Sequence, residues 1–278
     1  MRITYTLGTK IIHLLSAISE KKGEVKAYFL NRIEPKSREK NKIDSIHASI
    51  NLQNASITRE ATQDIILHES IRAPRALIGE VRNASRIYEE LSAFDPLSQK
   101  SLKLAYKAFI KDPVTRADYR MEEIPVFYWR GSVGMAVPCE EMKKGMNELF
   151  HYLRYGEDQM VIKSCICHYA IQFYMPFELE NEKISRLWQK LLLMKEHPSF
   201  EFLSWEKEIL KQKKKYYSCL AGQDQNTDAT EFLFFMLTII NDALASQLES
   251  CRKLIRPIDR IRYFYTLQHT SFTRKEYM

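Results

Sequence analysis

Apolar residues recur at three- and four-residue spacing along most of this chain, the pattern of helices that bury one face. Ile11, Ile12, Leu14, Leu15 and Ile18 predict a first helix closing near Gly23. A second short apolar segment over 24–30 runs into the polar stretch EPKSREKNK. Another helix is expected from about Asp44, with Ile46, Ile50 and Leu52 turned inward. Residues 58–68 and 74–94 predict two more, the latter with Leu77, Val81, Ala84, Ile87, Tyr88 and Leu91 on one face. Ser98 has the chemistry of an N-cap for a helix reaching about Lys111.

Helical spacing fails between Asp112 and Pro138. There IPVFYWRGSVGMAVP gathers aromatic and β-branched residues around Gly131 and Gly134, a hairpin signal and the one β element expected. Helices resume over 140–153, 159–174, 183–195, 202–220 and 230–254. A boundary is expected near Arg256 and Pro257, followed by one short helix over 258–268. The fold class predicted is all-α with one small hairpin.

Composition changes this picture little. At 278 residues, 45% hydrophobic and 28% charged, with 8 Gly and 9 Pro, the chain can bury a large helical core. The net charge of +7 owes much to KQKKK at 211–215, read as a solvated helix face rather than a nucleic-acid contact. Cys139, Cys165, Cys167, Cys219 and Cys251 are odd in number and lack metal-ligand rhythm, so buried free thiols and no metal site are expected. No run approaches a membrane span, and the N-terminus has no small-residue cleavage site. A cytoplasmic, reducing compartment is therefore expected.

The stretch with candidate chemistry is MPFELENEKISR, residues 175–186. It follows the apolar run VIKSCICHYAIQFY and leads into SRLWQKLLLMK. A helix, a short loop dense in acids and amide, then a second helix is how a chain builds an anion site at a helix N-terminus. The stretch resembles the signature of the Fic/Doc family, His-Pro-Phe-x-Asp/Glu-Gly-Asn-Gly-Arg-x-x-Arg. Other segments resemble the family in the same order. HYAIQFYMPF (168–177) is similar to the helix delivering the motif, and 128–142 to the hairpin "flap" with its Pro-led helix. Residues 203–220 and 231–235 resemble the helices behind the motif, and 44–66 the N-terminal helix that is inhibitory in many relatives. The resemblance implies an N-terminal helical part (1–110), a Fic core (111–255) with flap 124–138, and a partial winged-helix segment (256–278). As written, that last segment stops before a recognition helix, so DNA is a partner only if a complete winged helix follows.

The family transfers AMP from ATP to a protein Ser, Thr or Tyr hydroxyl. Its motif His is the general base, its Asp/Glu holds magnesium, its glycines bare the backbone to phosphate, and its arginines neutralise phosphate. Here Met175 stands at the His position, and a thioether cannot take the proton. Leu179 stands at the acid, unless Glu178 substitutes by a one-residue shift of register. Glu180 and Glu182 replace both glycines, while Pro176, Phe177, Asn181 and Arg186 remain and Lys183 holds the basic position. On the inhibitory-helix-like segment, Ser45 to Asn51, Ser49 aligns with the family's Glu.

The expectation is a catalytically degenerate Fic-type protein acting as a regulatory or interaction module, with no ATP or magnesium. Its protein partner would meet the flap edge at Arg130, Gly131, Ser132, Val133 and Gly134. Residual or altered AMP transfer through Glu178, Asn181, Lys183 and Arg186 is the enzyme alternative; a transcriptional regulator is the other. Structural roles compete at each position. Arg186 can pair with Glu180 or Glu182, Asn181 with its own loop, and Lys183 can face solvent. His168 can be a core histidine, and Trp129, Trp188 and Trp205 core anchors.

Overall fold

A computed structural model describes residues 3–29, 35–53, 56–68, 72–110, 118–127, 133–220 and 227–254. Among these lie α1 (Thr9–Phe29), α2 (Pro35–Leu52), α3 (Arg59–Ile66), α4 (Arg75–Glu89) and α5 (Gln99–Ile110). A hairpin follows, β1 (Pro125–Phe127) and β2 (Val133–Met135), antiparallel with Val126 opposite Gly134. Then come α6 (Cys139–Tyr155), α7 (Met160–Tyr174), α8 (Asn181–Glu196), α9 (Trp205–Lys211), α10 (Lys213–Leu220) and α11 (Thr230–Leu254). The all-α class with one small hairpin is what the periodicity predicts. The expected winged-helix segment lies outside the described residues.

The most uniformly apolar helical run becomes the centre. Helix α7 is buried on every side from Val161 to Tyr174, as a helix without a polar face must be. Helices α6, α8 and α11 pack around it, and α1 lies along α11. Trp188 and Trp205 are core anchors as expected, Trp188 Nε1 donating to Pro96 O (3.0 Å). A second, smaller core joins α2, α3 and α4 through Ile43, Ile46, Ile50, Ile57, Ile65, Ile66 and Val81. The chain therefore wraps a helical subassembly against the main bundle, and the motif loop sits at their junction.

Several boundaries differ from the periodicity. Helix α1 continues through Gly23 to Phe29, because Ile11, Leu15, Ile18 and Val25 share one buried stripe. One helical glycine costs only about 1 kcal/mol, less than that stripe gains. Helix α2 begins at Pro35, well before Asp44: proline suits a first turn, and a polar first turn leaves no apolar spacing to read. The run 202–220 is two helices, parted at Gln212 (φ −115°, ψ 30°). Thr230–Ser250 of α11 is apolar enough in composition to cross a membrane, contrary to expectation, yet it packs on α1 and α7. Cys165 and Cys167 are buried free thiols, while Cys139 and Cys219 are free but only half-buried.

Candidate functional site

The loop 175–180 turns twice through the left-handed region, at Met175 (φ 41°, ψ 65°), which ends α7, and at Glu180 (φ 63°, ψ 15°), which precedes α8. Between them, Asn181 clamps Phe177: Phe177 N donates to Asn181 Oδ1 (3.0 Å) and Asn181 Nδ2 donates to Phe177 O (2.7 Å). The Phe177 ring is buried and stacks on Tyr106, centroids 3.9 Å apart. Arg120, which sequence reading did not single out, fastens the loop from the other side. Its Nε donates to Met175 O (2.8 Å), Nη2 to Tyr174 O (3.4 Å) and Val137 O, and Nη1 to Glu122 O (2.9 Å). A cation there also opposes the negative end of the α7 dipole.

The two motif cations are buried and occupied. Lys183, for which a solvent-facing position was the competing reading, is 8% exposed. Its Nζ lies 2.5 Å from Glu80 Oε1 on α4 and 2.9 Å from Glu180 Oε2. Arg186 is 1% exposed. Its Nη2 donates to Ser49 Oγ (3.1 Å) and Ser49 O (3.3 Å), and its Nη1 is 3.6 Å from Glu182 Oε2. Burial pulls the guanidinium pKa down, but Tyr216, Glu182 and Tyr217 more than restore it, so the charge persists. Tyr217 Oη, 2.9 Å from Glu182 Oε2, is pushed up by burial and then by that carboxylate.

Ser45 and Ser49 tie α2 to the bundle. Ser45 Oγ donates to the buried Glu206 Oε2 (3.0 Å). The same carboxylate accepts from Tyr88 (3.0 Å) and faces Lys190 Nζ at 3.5 Å; burial lowers the Lys190 pKa. Asn51 does not reach the motif: it closes its own turn, donating to His47 O (3.0 Å) and accepting from Ile57 N (3.1 Å). Between α2, α4 and the start of α8 is a cavity of about 480 Å³ whose wall includes Ser49, Glu80, Lys183 and Arg186.

No family model matches the chain, and no curated protein matches it either. Solved structures do. A Fic family protein from Desulfovibrio desulfuricans G20 superposes with TM-score 0.85 at 29% identity, over 91% of this chain and 78% of that one. A Fic domain containing signaling protein from Bacteroides thetaiotaomicron VPI-5482 gives 0.68 at 16% identity, over 85% and 97%. A Fic-1 fragment from C. elegans gives 0.65 at 11%, over 86% and 71%. The chain carries a Fic domain.

Within this Fic domain, several chemical expectations can be set against geometry. Ser49, aligned with the family's inhibitory Glu, does meet Arg186, the last residue of the motif. Of the flap residues named, Val133 and Gly134 lie on β2, while Arg130, Gly131 and Ser132 are outside the described residues. Magnesium does not fit the loop: Leu179 is 66% exposed and its side chain offers no oxygen, and Glu178 is exposed. Among the described residues no group of three His, Cys, Asp or Glu is placed to hold a metal. His168 is a core histidine. It is fully buried, Nδ1 2.7 Å from Gln189 Oε1 and Nε2 2.9 Å from Tyr216 Oη, and burial holds its pKa down to about 3. Glu80 and Arg120 escaped sequence reading because each meets the motif from a distant segment, and Glu206 because it ties α2 and α4 to α8 from α9, with no local pattern to mark any of them.

Proposed function

We propose that this Fic domain is a non-catalytic regulatory or interaction module that binds a protein partner and does not move AMP. One observation carries the reading: Lys183 and Arg186, the cations left in the motif, are buried against Glu80, Glu180 and Glu182. Carboxylates outnumber cations by one. Each carboxylate about 4 Å from a phosphate oxygen opposes it by roughly 4 kcal/mol at an effective dielectric of 20. A triphosphate would have to expel these acids from their partners first. Met175 supplies no base to activate a hydroxyl, and Leu179 no oxygen for a metal. The hairpin supports the binding role, since a two-stranded sheet leaves outer edges on which an extended peptide can add as a strand.

The test restores the family residues: Met175→His, Leu179→Asp, Glu180→Gly and Glu182→Gly in one protein. Calorimetry with magnesium ATP is expected to detect saturable binding by this variant and none by the parent. Failure of the variant to bind would mean that the motif is misaligned. AMP transfer by the parent would favour the enzyme reading through Glu178, Asn181, Lys183 and Arg186.

A further inference from the structure

The two edges of the hairpin are not equivalent. Pro125 pairs with Met135, so Ile124 and Ala136 stand directly opposite each other. Ala136 N donates to Ile124 O (3.0 Å), which makes theirs a hydrogen-bonded pair. By the alternation of an antiparallel ladder, Pro125 and Met135 turn their backbone groups outward, away from each other. On β1 that outward position is a proline, which has no N–H to offer a further strand. On β2 it is Met135, 54% exposed, with both an N–H and a carbonyl. An added strand can therefore pair fully along β2 but not along β1.

The β2 strand leads to the motif loop. Two residues beyond Met135, the Val137 carbonyl shares the Arg120 guanidinium with Met175 O and Tyr174 O. Around this joint, large apolar side chains stand in solvent. They are Met121 beside Arg120, Met135, and Leu179, three residues past the Pro176 carbonyl that accepts from Arg120 N (2.8 Å). Exposed apolar side chains gathered at one joint mark a contact surface. Carboxylates accompany them: Glu122 and Glu123 follow Met121, Glu178 precedes Leu179, and all three are exposed. Lys103, Lys143 and Lys183 are committed to Asp118, Glu140 and Glu180. The joint is thus acidic in a chain whose net charge is +7, and a partner of opposite charge complements it.

We infer, resting on the binding role proposed above, that β2 takes up a basic, partly apolar segment of the partner protein as a third strand. The strand pairs at Met135, with apolar side chains beside that residue and lysines or arginines toward Glu122, Glu123 and Glu178. Two fluorescein-labelled peptides test this, KVKLKVK and EVELEVE. Anisotropy is expected to find saturable binding of the lysine peptide, about tenfold tighter than the glutamate peptide and weakened by salt. The bound lysine peptide should protect the Met135 amide from hydrogen exchange. Met135→Pro removes the outward N–H at an edge that tolerates proline, and should abolish binding with Tm unchanged. Glu123→Lys with Glu178→Lys should reverse the preference between the peptides. Binding of neither peptide, an unprotected Met135 amide, or undiminished binding by Met135→Pro would overturn the inference. Glutamate-peptide binding as tight as the lysine peptide's would overturn the basic partner. Lysine-peptide binding at Met135 in a protein that also takes up magnesium ATP would uphold the inference while overturning the non-catalytic reading of the motif.

Discussion

Glu180 occupies backbone space that suits glycine, and its carboxylate holds Lys183. A left-handed conformation costs a non-glycine residue roughly 1–2 kcal/mol. Both Glu180→Gly and Glu180→Ala delete the carboxylate, but only glycine is free of the backbone penalty. Glu180→Gly should therefore unfold in urea about 1 kcal/mol above Glu180→Ala. His168 sets a pH dependence. The unfolded chain takes up a proton below the ordinary histidine value of 6.5, whereas native His168 stays neutral to about 3. Its contribution is complete above 6.5 and declines as pH falls through that window, by about 1.4 kcal/mol per pH unit. Between pH 7 and pH 5 the protein should lose about 2 kcal/mol on this account, a slope that His168→Gln should flatten in urea titrations. At this scale sequence reading reached Asn181, whose clamp on Phe177 is local. It missed the burial of Lys183, because Glu80 arrives from another helix.

Among elements, Arg120 is the joint. One side chain spans the end of α7, the motif loop and the base of the hairpin, reaching four carbonyls. Arg120→Ala should cost about 3 kcal/mol in urea unfolding, since it leaves buried acceptors unmet. A smaller effect would mean that water replaces the guanidinium. The elements themselves were legible where one face is apolar over several turns, as in α4 and α6, or where the whole run is apolar, as in α7. They were not legible where another force governs. The polar start of α2 is invisible to hydrophobic spacing, and the break at Gln212 leaves the apolar rhythm of 202–220 intact. The unbroken α1 depends on packing along α11, which a single helix cannot announce.

In the whole molecule, the order of segments conveyed the Fic architecture, because each retained segment keeps its place around α7. What the order could not convey is how the small core of α2, α3 and α4 closes over the motif. Glu80 brings a carboxylate to Lys183 from that side, and Ser49 brings oxygen to Arg186. On the proposed reading, these contacts fill the anion cradle with the protein's own groups and keep a nucleotide out. Isothermal titration of the unmodified protein with ATP and magnesium tests it most directly. The predicted result is no saturable heat up to millimolar nucleotide. Tight, metal-dependent binding that vanishes in Lys183→Met would contradict it.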